Sequence, residues 1–388
     1  MRGPSETSLL TRPFVLAMAA TTAAFATFGV LILALPLYVR DELGRSDLAV
    51  GLAVGAASIG AIVAGPPAGR IADRRGRRVV MLGGAAVMAL GYLALALAPP
   101  LGAIIPIRAV AGAAEAAFVV ASFTVAADLA PEGRTGEAVS LITAVAYVGL
   151  ALGPLAGDFI VSSVGYPLVW TLAALLVTTA GVAAIALPDT RREQEEAPHG
   201  WLPPRAALLP GLVLLLALLG FGGFNAFVAL HAREVGLERP GLVFLVFAGI
   251  VVVARVFGRT LPDRLGARVA ASSACLAVIC GLLVLAAWQS VPGLLIGTAI
   301  FAAGQAFAYP AVALLASARA PVSEQSATFG AVIAFVDVAL LSGALVLSIA
   351  AEASGYGAVF VAGAVSAALG LVLLVRITAA TPEPAAAP

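Results

Sequence analysis

Glu115 is the side chain in this sequence best placed to do chemistry. It falls near the middle of an apolar run, about 103–129, where an ionised carboxylate is costly unless it is paired or wet. That makes it a candidate proton or substrate site. Arg108 precedes it by seven residues, two helical turns, and so shares its face about 10 Å away along a helix axis. That rise is too long for an unaided salt bridge, but both groups could face one wet cavity. A structural contact with a polar group on a neighbouring helix is the competing reading. Asp337, near the middle of run 326–350, is a second proton-site candidate, with Arg108 as one partner and an interhelical contact as the alternative. Asn225, Gln305 and Tyr309 could hydrogen-bond a small-molecule substrate, or could simply join helices.

A second kind of signal is a charged punctuation mark. Gly69-Arg70-Ile71-Ala72-Asp73-Arg74-Arg75-Gly76-Arg77-Arg78 puts five arginines and an aspartate between two apolar runs, so a tight loop on one membrane face is expected. Asp263-Arg264-Leu265-Gly266-Ala267-Arg268 repeats its core, and 263 minus 73 is 190. Gly165-Tyr166 recurs as Gly355-Tyr356, and 355 minus 165 is again 190. The chain therefore reads as two halves of one design. Gly149, Gly153 and Gly157 recur every four residues and line one stripe of a helix, in which Pro154 removes a backbone donor and introduces a kink. Such a stripe admits a facing helix at close range, either for gating or for static packing.

The elements that must position these groups are membrane helices. The 388 residues are 61% hydrophobic and 11% charged, with a mean hydropathy of +1.06, too little polar surface for a soluble globule. Twelve apolar runs of roughly 20–26 residues, each long enough to cross a bilayer, lie at about 14–39, 48–69, 78–98, 103–129, 136–161, 166–187, 207–231, 240–261, 268–288, 292–317, 326–350 and 355–377. The expected organisation is an N-terminal six-helix bundle (1–187), a linker (188–206), and a C-terminal six-helix bundle with a short polar tail (207–388). Of the 22 arginines, 16 fall on the side of the termini, the linker and both charged loops, four on the other side, and two within spans. The arginine-rich side is expected to be cytoplasmic. A net charge of +1 gives no sign of nucleic-acid binding, and Cys275 and Cys280 suggest neither a disulfide framework nor a metal site. The sequence carries no phosphate-binding glycine motif, so neither an enzyme nor an ATP-driven pump is expected, and no cofactor is implied.

Twelve spans in two halves, with G-x-x-x-D-R-x-G-R-R between the second and third, resemble the major facilitator superfamily. Gly69, Asp73, Arg74, Gly76, Arg77 and Arg78 all match that motif. Gly149 to Gly157, with Pro154, resembles the span-five pattern of proton-coupled drug exporters, although Asp158 stands where that pattern often has another glycine. Arg108 followed by Gly112 is similar to the family's span-four arginine motif. The resemblance implies an all-α fold of two pseudo-symmetric bundles with spans one, four, seven and ten lining the path. It also implies a cytoplasmic latch in which Asp73 meets a helix start of the other half and Arg77 pairs with Asp128. The second copy, with Asp263, Arg264 and Gly266, is degraded, because Arg259 replaces its first glycine. The expected function is proton-coupled efflux of a small amphipathic or drug-like compound from a bacterial cytoplasmic membrane, in which Glu115 cannot be both protonated and paired with a cationic ligand. A sugar or metabolite carrier and a non-transporting receptor are the alternatives. The expected partners are the substrate, protons and membrane lipid, with no nucleic acid, and the expected assembly is a monomer.

Overall fold

The computed structural model describes residues 8–189, 205–258, 265–317 and 325–379. Among these residues the chain forms twelve helices and no strand. They are α1 (Arg12–Leu37, continued by a π-helical turn Tyr38–Glu42), α2 (Asp47–Arg75), α3 (Arg77–Ala96), α4 (Leu101–Asp128), α5 (Thr135–Ser163) and α6 (Tyr166–Ile185), followed by α7 (Arg205–Glu234), α8 (Gly241–Phe257), α9 (Ala267–Ala287), α10 (Val291–Ser317), α11 (Gln325–Ser354) and α12 (Tyr356–Ala379). Helix is the element such runs must adopt, because lipid offers the backbone no partner and only intrahelical bonds satisfy it. Eleven are long and apolar enough to span a membrane; α8, at 17 residues, is shorter than the expected run 240–261.

The chain divides into two compact units, residues 1–45 with 56–197, and residues 46–55 with 198–388. The division falls inside the expected linker, but the first turns of α2 cluster with the second unit. There Asp47 Oδ1 accepts a hydrogen bond from Tyr356 Oη at 3.2 Å, and the Leu48 N–H donates to Glu352 Oε2 at 3.2 Å.

Each unit repeats one packing scheme. In the first, α1 packs on α5 and α6, and α3 on α4 and α6; in the second, α7 packs on α11 and α12, and α9 on α10 and α12. Small residues set these contacts. A Cβ on Gly149 or Gly153 would collide with the α1 backbone at Thr22 and Ala26, so the α5 glycine stripe lies directly against α1. Gly343, at the repeat position of Gly153 (343 minus 153 is 190), meets the backbone of Leu219 and Gly222 on α7 in the same way. Without a hydrophobic force between helices in lipid, this close approach is the principal attraction available.

The arginine-rich decapeptide is less of a loop than its charge suggested. Helix α2 runs through Asp73 to Arg75, and only Gly76 leaves the helical conformation, at φ +95°. Basic residues at a helix C-terminus offset its dipole, so Arg74 and Arg75 extend α2 instead of ending it. Gly76 is needed twice over, for its positive φ and because a Cβ there would strike the Asp189 carboxylate. Its repeat partner Gly266 opens α9 at φ +78°.

Candidate functional site

Two span charges of the first unit, Arg108 and Glu115, meet between α3 and α4. Glu115 Oε1 accepts from Arg108 Nη1 at 2.9 Å and from Tyr92 Oη at 2.8 Å. The sequence arithmetic had put Arg108 and Glu115 too far apart to bond, and the structure corrects it. Helical side chains tilt toward the N-terminus, so Glu115 points back along α4 while the long Arg108 stem covers the remaining rise. Tyr92 is fully buried, the Arg108 side chain is 8% exposed, and the Glu115 side chain keeps 18% exposure. Arg108 Nε is buried without an acceptor among the described residues. The cluster is electrically neutral, since Glu115 has its counter-charge within its own helix. Tyr92 was missed from the sequence; the signal available was a tyrosine facing the interior of an apolar run beside one that holds a carboxylate.

The expected latch residues are placed in part. Arg77, 2% exposed, brings Nε to 3.2 Å from Asp128 Oδ2, an ionic approach rather than an aligned hydrogen bond. The pair resolves two unfavourable placements at once, a cation at the N-terminus of α3 and an anion at the C-terminus of α4. Arg74 is exposed and Arg78 half-buried. A Cβ on Gly69 would meet no atom within 4 Å among the described residues. The Asp73 side chain, and Asp263, Arg264 and Arg259, lie outside the described residues. On α5, Gly157 faces Val30 and Leu33, and the Pro154 ring lies against Gly29.

The second unit holds no matching charge cluster at the equivalent place. Adding 190 to Tyr92, Arg108 and Glu115 gives Leu282, Thr298 and Gln305. The helix faces correspond as well. Ile107, Ala111, Ala114 and Phe118 of α4 meet Gly84 and Gly91 of α3, and Gly297, Phe301 and Gly304 of α10 meet Ala274 and Gly281 of α9. Thr298 is fully buried with Oγ1 unpartnered, unlike the other buried serines and threonines among the described residues, which all hydrogen-bond a carbonyl. Gln305 is 8% exposed and its Nε2 lacks a partner. Tyr309 is half-buried on the same α10 face. Asn225 and Asp337 are half-buried and make no hydrogen bond or ion pair among the described residues. A ring cluster fills the neighbouring space, with Phe221 5.4 Å from Phe247 and 6.2 Å from Phe301.

A family description of the Major Facilitator Superfamily matches residues 17–288 and 211–388. The chain belongs to the major facilitator superfamily. Transporters of this superfamily are its relatives across nearly the whole length. An uncharacterized MFS-type transporter of Salmonella typhimurium is 29% identical over 365 residues, covering 89% of this chain and 91% of the relative. Among solved structures, the xylose transporter XylE from E. coli superposes with a TM-score of 0.76 at 15% identity, covering 98% of this chain and 99% of that one. The nucleoside transporter NupG gives 0.76 at 13%, covering 95% and 99%. At such identities these likenesses establish the fold alone. The protein is thus a multi-pass membrane transporter of the major facilitator superfamily, built of twelve helices in two six-helix bundles.

Proposed function

We propose that this major facilitator protein exports a small amphipathic or drug-like compound in exchange for protons, by alternating access across a bacterial cytoplasmic membrane. The arginine asymmetry of 16 to four supports cytoplasmic termini. The observation that carries the coupling is the Tyr92–Arg108–Glu115 cluster, an ion pair held inside a span with its carboxylate still 18% accessible. A proton on Glu115 removes the charge that Arg108 needs. Proton binding and a rearrangement of α3 against α4 are then one linked equilibrium, because a ligand shifts a conformational balance only by binding the two states unequally.

The magnitudes allow it. Removing one partner of a buried ion pair costs about 3–5 kcal/mol, and a charge crossing a potential of about 100 mV gains about 2.3 kcal/mol, which is of the same order. Because Arg108 already neutralises Glu115, coupling runs through release of Arg108 instead of through direct pairing of Glu115 with a cationic ligand. Asp337, half-buried and without an ion-pair partner among the described residues, is a second carrier in this scheme. The Arg77–Asp128 pair and the α1–α5 glycine seam would serve as hinge and latch.

The test is proton movement driven by substrate. Purified protein is sealed into liposomes with a pH-reporting dye inside, and amphipathic aromatic compounds of each charge are added outside. A compound that the protein transports should move the internal pH. Transport with no accompanying proton flux for any such compound would refute the reading.

A further inference from the structure

His231 is a buried ionisable group that the coupling scheme leaves unused. It stands in the last turn of α7 and is 1% exposed. Its ring lies 5.2 Å from that of Phe360 and 6.5 Å from that of Tyr356, both on α12 and both edge to face. Nδ1 is 3.4 Å from Glu234 Oε2, and the Glu234 side chain is 57% exposed, so it joins the ring to water. Nε2 is buried with no partner among the described residues; the Leu285 backbone of α9 acts on the ring without completing an aligned hydrogen bond. A neutral imidazole has one donor and one acceptor nitrogen, so in either tautomer the buried Nε2 is left unsatisfied. The corner is not inherited from the repeat. In the first unit Tyr38 packs on Tyr166 and Trp170, which stand 190 residues before Tyr356 and Phe360, and the repeat position of His231 is Asp41.

From the ring, contacts run on to α2. Tyr356 Oη donates to Asp47 Oδ1, and the Leu48 N–H donates to Glu352 Oε2, both at 3.2 Å. A Cβ on Gly51 would strike the Ala344 carbonyl, so the first turns of α2 lie directly on α11, and all of these residues belong to the second unit. The other charged groups at this end are the exposed Arg233 on α7 and the exposed Glu238 and Arg239 before α8; the adjoining ends of α9 and α10 carry none.

We infer that His231 is a proton-binding site whose occupancy loosens the α7–α12 corner and, through Tyr356, the grip of the second unit on the first turns of α2. A proton from the outer solution forms an N–H bond on the imidazole and leaves a cation in a site of 1% exposure, with the partly exposed Glu234 as its counter-charge. A buried charge is costly unless it is paired and hydrogen-bonded, so the charged ring favours a packing that turns it toward Glu234 and water. That movement withdraws it from Tyr356, whose hydroxyl is the donor to Asp47. Proton binding and the α2 contact are then one linked equilibrium. The inference rests on the transport reading only for which side is outer, and it concerns residues other than the Glu115 cluster.

The chain has two histidines, so His199→Gln leaves His231 as the only one. Full-length His199→Gln protein carrying isotope-labelled histidine is placed in phosphatidylcholine nanodiscs, and its imidazole NMR signal is followed from about pH 8 to about pH 4, which spans the range where histidine changes charge. The signal should titrate, and Glu234→Gln should weaken proton binding by about two- to fivefold, as loss of a partly exposed partner implies. A nitroxide on Leu48→Cys, in a Cys280→Ala background that leaves only the buried Cys275, reports the α2 contact. Its mobility should rise as the pH falls, with the midpoint of the ring titration, and should stay constant in His231→Gln. If His231→Gln does not fold, Glu234→Gln carries the test, because it should displace both midpoints together. A ring signal that does not titrate over this range would overturn the proton site. A label response that is the same without His231, or that keeps its midpoint in Glu234→Gln while the ring's moves, would overturn the link to α2. No substrate or gradient is present, so this result and the proton-flux result can fail independently.

Discussion

The two units share a scaffold and differ in what they hide on it. Gly91 and Gly281 lie 190 residues apart and meet Ala111 and Phe301, again 190 apart, while Gly153 and Gly343, also 190 apart, meet the α1 and α7 backbones at Ala26 and Leu219. Across the α3–α4 seam, the first unit holds a buried tyrosine and a buried arginine bonded to a half-buried glutamate. The matching positions on α9 and α10 hold Leu282, Thr298 and Gln305, with Thr298 Oγ1 and Gln305 Nε2 unpartnered. An aromatic difference accompanies it, since Phe301 of the second unit stands at the repeat position of Ala111. Duplication kept the backbone contacts, which any change would disturb, and left the neighbouring side chains to diverge. At these matched positions the first unit holds an ion pair and the second holds uncharged side chains.

That contrast can be broken by experiment. The largest expected effect is on the ionic side: Arg108→Gln alone should cost up to about 3–5 kcal/mol, because Glu115 is left charged and half-buried without its partner. The double change Arg108→Gln with Glu115→Gln should recover most of that loss. Detergent melting of the three variants measures the coupling, and additive losses would show that the pair is not a unit. Next, Gly153→Ala and Gly343→Ala should each cost about 1–3 kcal/mol through overpacking, and by similar amounts. A large effect in one unit only would mean that the scaffolds are not equivalent. Smallest is Thr298→Val, which removes an unsatisfied hydroxyl at nearly constant shape. It should be neutral or stabilising by about 1 kcal/mol, and a clear loss of Tm would show that the hydroxyl has a partner.

The repeat was legible in the sequence because its turns need glycine. Gly76 and Gly266, and Gly165 and Gly355, all take positive φ, so duplication could not replace them cheaply. The extent of α2 was not legible, because a run of charge reads as loop although a helix C-terminus accepts arginine well. The Arg108–Glu115 bond was missed because axial rise was used without side-chain direction and reach. Tyr92 lies on another helix, and only the packing of α3 on α4 brings it to Glu115. Thr298 and Gln305 could have been matched to Arg108 and Glu115 by the 190-residue offset, once the offset was applied to side chains as well as to turns.

The most direct measurement compares two modes of transport by Glu115→Gln in liposomes. Exchange of substrate at equal concentration on both sides needs no net proton movement, whereas accumulation against a gradient does. The variant should retain exchange and lose accumulation driven by an imposed pH difference. Accumulation at the wild-type rate, with the wild-type pH dependence, would contradict the assignment of proton coupling to Glu115.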